Sequence, residues 1–355
     1  MSRAISLDTI RAAALNVYTT AVRTPLVRLF PEGMTSGASG SPDSPILPEI
    51  WLKLEILQPI GSFKIRGAAN AIAQLLKTGQ VRAQQTERGD GAPRVSELGG
   101  VQGSPPNEVW TVSAGNAAQG VALAARRAGL RCSVLVMDTA PAAKLDAIRR
   151  LGADIVQAPY DECWRAVETH ASDRMTGRFV HPFDDDAFIS GNGTAGLEIL
   201  EDLPDVDAVI ASVGGGGLLA GIGCAIKTLK PDVKIYAAEP ETAAPLDASF
   251  KAGAPVTFDA WQPSFVDGAG GRSVLPSMWP LLRAYVDEPI VVSLADAAAA
   301  MKLAAQRCHV IAEGAGACAI AAALSGRIQS AGHKRIVVVV SGGNIDLARF
   351  AQLTA

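Results

Sequence analysis

The sequence has little charge, few aromatic residues and few cysteines. Charged residues make up 19% of the 355 residues and the formal net charge is −3, so no basic stripe typical of nucleic-acid binding stands out. The five cysteines include no Cys-x-x-Cys pair, which argues against a zinc ribbon or a dithiol redox centre and favours a reducing compartment. No Gly-Lys dipeptide occurs, which excludes a Walker A loop.

The beginning of the chain and its apolar segments predict a cytoplasmic protein. Residues 1–11 lack the apolar stretch of a signal peptide. No uncharged apolar run is long enough to span a bilayer without consisting mostly of Gly and Ala. Hydrophobic residues make up 48%, enough for a sizeable core in two domains or one large one. We therefore expect neither nucleic acid nor a membrane as a partner.

Short apolar segments alternate with amphipathic ones along most of the chain. The predicted strands, which are rich in β-branched residues and almost continuously hydrophobic, are Glu108–Val112, Cys132–Met137, Asp154–Ala158, Ala208–Ser212, Lys234–Ala238 and Arg335–Val340. The predicted helices are Ala117–Ala128, Ala142–Leu151, Leu218–Leu229, Leu294–Cys308 and Ala315–Leu324. This alternation predicts an α/β fold with a largely parallel sheet. Two stretches rich in Gly, Pro and Ser, 31–48 and 85–107, are predicted to be surface loops.

Small polar residues or glycines directly follow three of the predicted strands. The three clusters are Ser113–Asn116, Gly214–Gly217 and Ser341–Asn344. Ligands of open α/β sheets bind at the carboxyl ends of the strands, which is where these clusters fall. Four consecutive glycines let backbone N–H groups converge on one anion, and the helix that follows adds the positive end of its dipole. The glycine turn therefore predicts a phosphate site, with a plain flexible turn as the alternative.

Two phosphate-bearing cofactors fit the glycine turn. The run from Gly215 to Ala220 matches the relaxed dinucleotide fingerprint, and Glu239 ends the next strand at about the expected distance. Four glycines meet that spacing almost automatically, and a dinucleotide leaves Lys64 and the other two clusters unexplained. Pyridoxal phosphate has a phosphate for the glycines and an aldehyde for a lysine. Its ring nitrogen and 3′-oxygen each need a polar neighbour, so this cofactor accounts for all of these features together.

Taken in order, these motifs resemble those of the fold-type II pyridoxal-phosphate enzymes. They are Ser62-Phe63-Lys64-Ile65-Arg66-Gly67, Ser113-Ala114-Gly115-Asn116, Gly214-Gly215-Gly216-Gly217 and Ser341-Gly342-Gly343-Asn344. The branch that the chain resembles most is the threonine/serine dehydratase group, which includes serine racemase and 3-hydroxyaspartate dehydratase. The resemblance runs from about residue 20 to residue 350. It implies a tryptophan synthase β-like fold, in which two open parallel-sheet α/β domains enclose the cofactor in a cleft.

The resemblance also implies roles for individual residues. Lys64 is the implied catalytic residue and carries the cofactor aldehyde. The implied cofactor contacts are Phe63 along the ring, Asn116 at the 3′-oxygen, Ser341 at the ring nitrogen, and Gly214, Gly215, Gly216, Gly217 and Leu218 at the phosphate. The residues implied to hold the substrate carboxylate are Ser113, Ala114, Gly115, Asn116 and Ala117. No metal ligand is assigned.

By the same resemblance, residues 107–183 form a small domain that closes over the substrate, and residues 1–106 and 184–355 form the large cofactor-binding domain. The implied reaction is an α,β-elimination that converts an L-β-hydroxy-α-amino acid of the threonine or serine type to a 2-oxo acid and ammonia. A homodimer or homotetramer is expected by analogy. The alternatives are 3-hydroxyaspartate dehydration, a β-replacement synthase, a racemase, a non-catalytic relative and an NAD-dependent oxidoreductase.

Four positions bear on the choice of reaction and substrate. A hydroxyl at Ser341 cannot hold the ring nitrogen as a cation in the way a carboxylate would, which favours prompt elimination. Racemases of the family carry a serine where this chain has Ala114, and alanine cannot exchange a proton. The family usually has a histidine at the position of Ala117, and Trp164 falls in a stretch that faces the substrate in relatives. These two residues raise the hypothesis of a bulkier substrate such as phenylserine, with helix packing as the alternative for Trp164.

Two acidic residues and one arginine leave alternatives open. Glu313 can either face the cofactor or cap the helix that follows. Glu239 ends a strand near which some relatives bind a divalent cation, but the downstream acidic ligand would fall near Pro245, with Asp247 out of register. We expect Arg66 to form a structural pair rather than act on the substrate.

Overall fold

The computed structural model describes residues 3–30, 48–84 and 105–355. Most of the two predicted surface loops lies outside these residues. The strands are β1 Leu26–Leu29, β2 Glu49–Leu54, β3 Glu108–Val112, β4 Arg131–Met137, β5 Asp154–Ala158, β6 Arg178–Phe179, β7 Ala208–Ser212, β8 Lys234–Pro240, β9 Glu288–Val292 and β10 Arg335–Val340. The helices are α1 Leu7–Val17, α2 Lys64–Lys77, α3 Asn116–Arg127, α4 Ala142–Arg150, α5 Tyr160–Thr169, α6 Asp186–Asp202, α7 Gly217–Leu229, α8 Pro245–Ala252, α9 Trp279–Tyr285, α10 Leu294–Cys308, α11 Gly314–Leu324, α12 Gly326–Gln329 and α13 Leu347–Thr354.

The strands form two separate sheets. The first has six strands in the order β1-β2-β10-β7-β8-β9, all parallel except β1, which pairs antiparallel with β2 at the edge. The second has four parallel strands in the order β5-β4-β3-β6. The prediction of an α/β fold with largely parallel sheets is confirmed. The predicted domain boundaries stay a prediction, although the second sheet is built entirely from residues within 107–183.

The central strands of the first sheet are apolar because helices cover both of their faces. Successive side chains of a strand point to opposite faces. In β10, Val337 and Val339 pack on the side of α6 and α7, whereas Ile336, Val338 and Val340 pack on the side of α10 and α11. All five are fully buried, and complete burial of such a side chain stabilises the fold by about 1.5–3 kcal/mol. The near-continuous hydrophobicity of the segment follows directly from this two-sided cover.

Two side-chain contacts join the second sheet's helices to the segment after α8. Lys144 of α4 forms an ion pair with Asp267. The Arg272 guanidinium lies 4.0 Å from the ring centroid of Trp261 and 5.0 Å from that of Tyr160, the first residue of α5. Both contacts lie beyond the carboxyl ends of β4 and β5, so they join the two sheets on the side where ligands of such sheets bind.

Among the described residues, no helix is both long enough and apolar enough to cross a membrane.

Candidate active site

Three of the sequence motifs meet between the two sheets. The segment Gly61–Phe63 lies against Ser341–Gly343: Phe63 N donates to Ser341 O at 3.0 Å, and Gly343 N donates to Gly61 O at 2.9 Å. Asn116, at the start of α3 after β3 of the second sheet, accepts at Oδ1 a hydrogen bond of 2.7 Å from Nδ2 of Asn344, which follows β10 of the first sheet. Residues more than 200 positions apart are thus brought to one place by the carboxyl ends of parallel strands.

Lys64 is the first residue of α2, at the edge of this meeting point. Its Nζ donates to Pro182 O at 2.6 Å and lies 5.2 Å and 5.6 Å from the ring centroids of Phe63 and Phe188. Burial lowers the pKa of Lys64 to about 8, because the ammonium form loses solvation. The positive end of the α2 dipole also disfavours a cation at this position. Close to neutral pH, a useful fraction of this amine is therefore uncharged and nucleophilic.

The lowered pKa predicts how the cofactor-free protein reacts with added pyridoxal phosphate. Only the neutral amine attacks an aldehyde, and with a pKa of about 8 its fraction rises from about one tenth at pH 7 to about nine tenths at pH 9. We expect the rate of covalent attachment to rise about tenfold over this range and then to level off. Stopped-flow absorbance measures the rate; a rate that climbs steeply past pH 10 would indicate an ordinary lysine.

The glycine turn is packed too tightly for any side chain. A Cβ at Gly215 would lie 2.2 Å from the Phe183 ring, and one at Gly217 would lie 2.6 Å from Phe183 O. Gly216 has a φ of +89°, which an L-residue with a side chain rarely adopts. Gly217 begins α7, whose first N–H groups have no acceptor within the helix and carry the positive end of its dipole. These features leave backbone N–H groups available to an anion, and the phosphate contact itself stays a prediction.

Residues 182 and 183 connect the glycine turn to Lys64. Pro182 O accepts the hydrogen bond from Lys64 Nζ, and the next residue, Phe183, packs against Gly215 and Gly217. Lys64 and the glycine turn therefore both contact the same two-residue segment, which places them on adjacent parts of one site. Phe183 was not among the predicted site residues.

The predicted substrate loop lies at the start of α3. Ser113 Oγ accepts a hydrogen bond of 3.0 Å from Gly115 N, and Asn116 is the first helical residue. Among the described residues, a Cβ at Gly115 would meet only Ser113 Oγ within 4 Å, at 4.0 Å, so none of the described parts of the chain packs against this side of the loop. The N–H groups at the beginning of α3 have no intrahelical acceptor and can donate to a carboxylate. The Ala117 side chain is buried.

Glu313 also lies beside Asn116. The sequence left two roles open for it, namely facing the cofactor or capping the helix that follows. It precedes α11 but makes no side-chain cap to that helix. Its Oε1 instead accepts a hydrogen bond of 2.7 Å from Asn116 Nδ2. Burial, with a smaller contribution from Asp267, raises the pKa of Glu313 to about 7.

A buried ionic network underlies the start of α2. Arg66 donates to both oxygens of Glu55 at 2.7 Å and to the two oxygens of Glu198 at 2.6 Å and 2.9 Å. Lys53 Nζ lies 2.6 Å from Glu198 Oε2, and all four side chains are almost inaccessible to solvent. The expected structural pairing of Arg66 is observed, and it anchors the helix turn that carries Lys64.

Trp164 and Glu239 lie in packed surroundings. Trp164 on α5 is half-buried against the hydrophobic core beneath that helix, and its Nε1 donates to Glu168 Oε1 one turn along at 2.8 Å, which agrees with the helix-packing alternative. The two oxygens of Glu239 accept hydrogen bonds of 2.8 Å from Leu246 N and Asp247 N at the start of α8. Burial raises the pKa of Glu239 to about 8.

One group of possible metal ligands occurs among the described residues. It consists of His170, His181 and Asp184, whose ligand atoms lie within 4.8 Å of one another. His181 Nδ1, however, already accepts the Asp184 N–H at 2.7 Å, and the Asp184 oxygens accept from Arg3 and Ser277. The possible ligand atoms of His181 and Asp184 are therefore already hydrogen-bonded within the protein.

The residues present fit pyridoxal phosphate. Within the described part of the chain, Ser62 Oγ is buried next to Lys64 without a hydrogen-bond partner, so a polar group is missing from its surroundings. The Lys64 amine would meet the aldehyde of this cofactor, the N–H groups of the glycine turn its phosphate, and the Asn116 amide its 3′-oxygen. Fold and site together define an α/β enzyme of the pyridoxal-phosphate-binding class.

Comparison with known proteins agrees with that class. The sequence profile of the family described as pyridoxal-phosphate dependent enzyme matches residues 21–342, and the chain belongs to this family. It is 38% identical over 301 residues to the L-threonine ammonia-lyase of Thermotoga maritima, covering 84% of this chain and 68% of the relative. It is 34% identical to the catabolic L-threonine dehydratase of Staphylococcus aureus, covering 97% and 90%. The structure of maize serine racemase superposes with a TM-score of 0.82 at 30% identity, covering 98% and 96%.

Family membership decides between the two cofactors that the sequence left in competition. The predicted pyridoxal phosphate is confirmed, and the dinucleotide interpretation of the run from Gly215 to Ala220 is replaced by it. The contacts of individual residues with the cofactor stay predictions.

Proposed function

We propose that the protein is an ammonia-lyase that converts an L-β-hydroxy-α-amino acid of the threonine or serine type to a 2-oxo acid and ammonia. The observation that carries the proposal is a lysine amine of lowered pKa beside an anion-binding glycine turn and an open substrate loop. Relatives whose names state threonine ammonia-lyase and threonine dehydratase support the same reaction.

Each part of the site has a task in this reaction. When bound, pyridoxal phosphate draws electrons away from the α-carbon of an attached amino acid. With the cofactor bound, Lys64 Nζ would take the α-proton, because its lowered pKa leaves a neutral base close to pH 7–8. The ammonium formed in this way would return a proton to the departing β-hydroxyl, which leaves as water. The N-terminal N–H groups of α3, after Gly115, hold the substrate carboxylate. The ring of Phe63, which faces Lys64 Nζ, helps to exclude water from the base.

Racemisation is the second candidate, because the maize serine racemase has the same fold. A racemase needs a proton donor on the face of the substrate opposite the base. Ala114 offers a methyl group on the substrate loop and packs beside the core of the second sheet. We therefore expect no D-amino acid to form. The Ala114→Ser variant is the matched test: it should gain measurable D-serine formation while keeping ammonia release within about tenfold.

A substrate panel tests the proposed reaction and its range. L-threonine, L-serine, 3-hydroxyaspartate and phenylserine are compared by kcat/KM for 2-oxo acid formation, with the pyridoxal-phosphate-loaded protein. Because Trp164 is engaged in helix packing, Ala117 alone remains in favour of a bulky substrate, and we expect threonine or serine to be preferred over phenylserine. Loaded protein that releases no ammonia from any of the four would contradict the lyase and favour β-replacement.

The assembly of the protein is expected by analogy with the family. We propose a homo-oligomer, either a dimer or a tetramer, which light scattering of the loaded protein in solution can distinguish from a monomer.

A further inference from the structure

Two side chains outside the assigned cofactor contacts hold the Asn116 amide in one orientation. Asn344 Nδ2 donates to Asn116 Oδ1 at 2.7 Å, and Asn116 Nδ2 donates to Glu313 Oε1 at 2.7 Å. An asparagine amide carries donors at one end and an acceptor at the other, and the two ends exchange when the group turns over. Its orientation is therefore defined only by neighbours whose own roles are fixed.

The orientation of Asn344 is fixed by the backbone. Its Nδ2 also donates to Ile60 O at 2.7 Å, and a carbonyl oxygen can only accept. The two hydrogens of Asn344 Nδ2 are thus used, one on Ile60 and the other on Asn116. Asn116 must present its oxygen to Asn344, which turns its nitrogen to the opposite side.

Glu313 receives that nitrogen. Its carboxylate is buried and serves Asn116, 197 positions earlier in the chain, instead of capping α11. The absence of a side chain at Gly342 leaves the space for this contact. A Cβ there would lie 2.3 Å from Glu313 Oε1 and 3.0 Å from Asn116 Nδ2. The Asn116 amide is therefore held at both ends, with Glu313 Oε1 accepting from its nitrogen and Asn344 Nδ2 donating to its oxygen.

We propose that Glu313 and Asn344 are positioning residues, which aim one N–H of Asn116 at the cofactor. Asn116 Nδ2 has two hydrogens, and the contact with Glu313 uses one. The second is available to the 3′-oxygen of pyridoxal phosphate, the contact that the family resemblance implies. This inference rests on the proposed function, because it concerns the cofactor of that same site.

The test compares two substitutions at each positioning residue. In Asn344→Asp, a carboxylate oxygen replaces the Nδ2 group that donates to Ile60 O and to Asn116 Oδ1. The Asn116 amide must then either turn over or lose its hydrogen bond with residue 344. We expect the dissociation constant of pyridoxal phosphate to rise about tenfold and the visible absorption maximum of the bound cofactor to shift. Glu313→Ala removes the acceptor and should have a similar effect. Glu313→Gln is the matched control: it keeps an accepting oxygen and should stay within about threefold of the unchanged protein.

A double-mutant cycle separates positioning from a general structural effect. If Asn344 acts through Asn116, Asn344→Ala should raise the dissociation constant about tenfold alone but less than about twofold in an Asn116→Ala background. Thermal unfolding of each variant without cofactor identifies any loss of fold. Equal effects of Asn344→Ala in both backgrounds, or unchanged affinity and absorption in all the Glu313 and Asn344 variants, would overturn the inference.

The same measurements distinguish this failure from failure of the proposed function. Unchanged protein that shows no cofactor absorbance dependent on Lys64 would defeat both. If the unchanged protein shows normal absorbance and ammonia release, and the Glu313 and Asn344 variants keep its cofactor affinity and absorption, only the positioning role would be contradicted.

Discussion

The Lys64→Ala variant is expected to form 2-oxo acid at least about a thousandfold more slowly than the unchanged protein. Removal of the amine takes away both the covalent anchor of the cofactor and the base for the α-proton, and a positioned base alone contributes about 10²–10⁴ in rate. The visible absorbance of the bound cofactor that borohydride bleaches should disappear as well. A coupled dehydrogenase assay at saturating pyridoxal phosphate measures the first effect, and absorption spectra measure the second.

A lysine at the other end of the same helix provides the control. Lys77 is exposed at the end of α2, 13 positions from Lys64, so Lys77→Ala should leave rate and absorbance unchanged. If Lys64→Ala kept more than a tenth of the activity, neither the covalent attachment nor the assignment of the base could stand.

Arg66→Ala is expected to lower the free energy of unfolding by about 3–5 kcal/mol, the usual cost of leaving a buried charge without its partner. Arg66 neutralises Glu55 and Glu198, and both carboxylates are buried beneath the start of α2. Burial by itself would raise the pKa of Glu198, but Arg66 and Lys53 hold it below its ordinary value, so the Glu198 carboxylate is ionised in the native state. Urea unfolding followed by circular dichroism measures the loss.

A surface arginine with two carboxylate partners is the matched control. Arg23 pairs with Glu201 and Asp202, but all three are at least partly exposed. Exposed pairs contribute at most about 1 kcal/mol, so Arg23→Ala should be almost neutral. Equal shifts in the unfolding midpoint for Arg23→Ala and Arg66→Ala would contradict the role of burial.

Strands and helices with a regular pattern could be predicted to within one or two residues. Four of the predicted strands have the observed bounds, among them Ala208–Ser212 and Arg335–Val340. The segment Glu49–Leu54 was missed because Lys53 interrupts its apolar pattern. That lysine is buried with Glu198, a partner 145 positions away that no local pattern reveals.

Helix α6 was missed for a different reason. Gly191, Gly193 and Gly196 give it the appearance of a loop, but each permits a close approach of another backbone. A Cβ at Gly191 would lie 2.4 Å from Arg66 O, and one at Gly193 would lie 2.9 Å from Gly221 O. Such glycines weaken a helix locally, and only the packing against α2 and α7 explains them.

Site residues that belong to a short sequence motif could be predicted. Site residues that come into contact only because the chain folds could not. Lys64, the glycine turn and Asn116 follow from their positions after a turn or a strand. Phe183 and the contact of Glu313 with Asn116 do not, because nothing in the sequence indicates which side chains meet across the two sheets. The roles implied by resemblance stay predictions for the experiments above.

The layout of the second sheet has a consequence for how such enzymes can diversify. Its four strands come from one uninterrupted stretch, and in the described part of the chain none of them pairs with the first sheet. A chimera that exchanges this stretch with a homologue would need only two crossover points and would leave every strand ladder intact. The exchange would also replace Asn116 and Pro182, so a compatible donor is one that retains their hydrogen bonds with Glu313, Asn344 and Lys64 across the boundary.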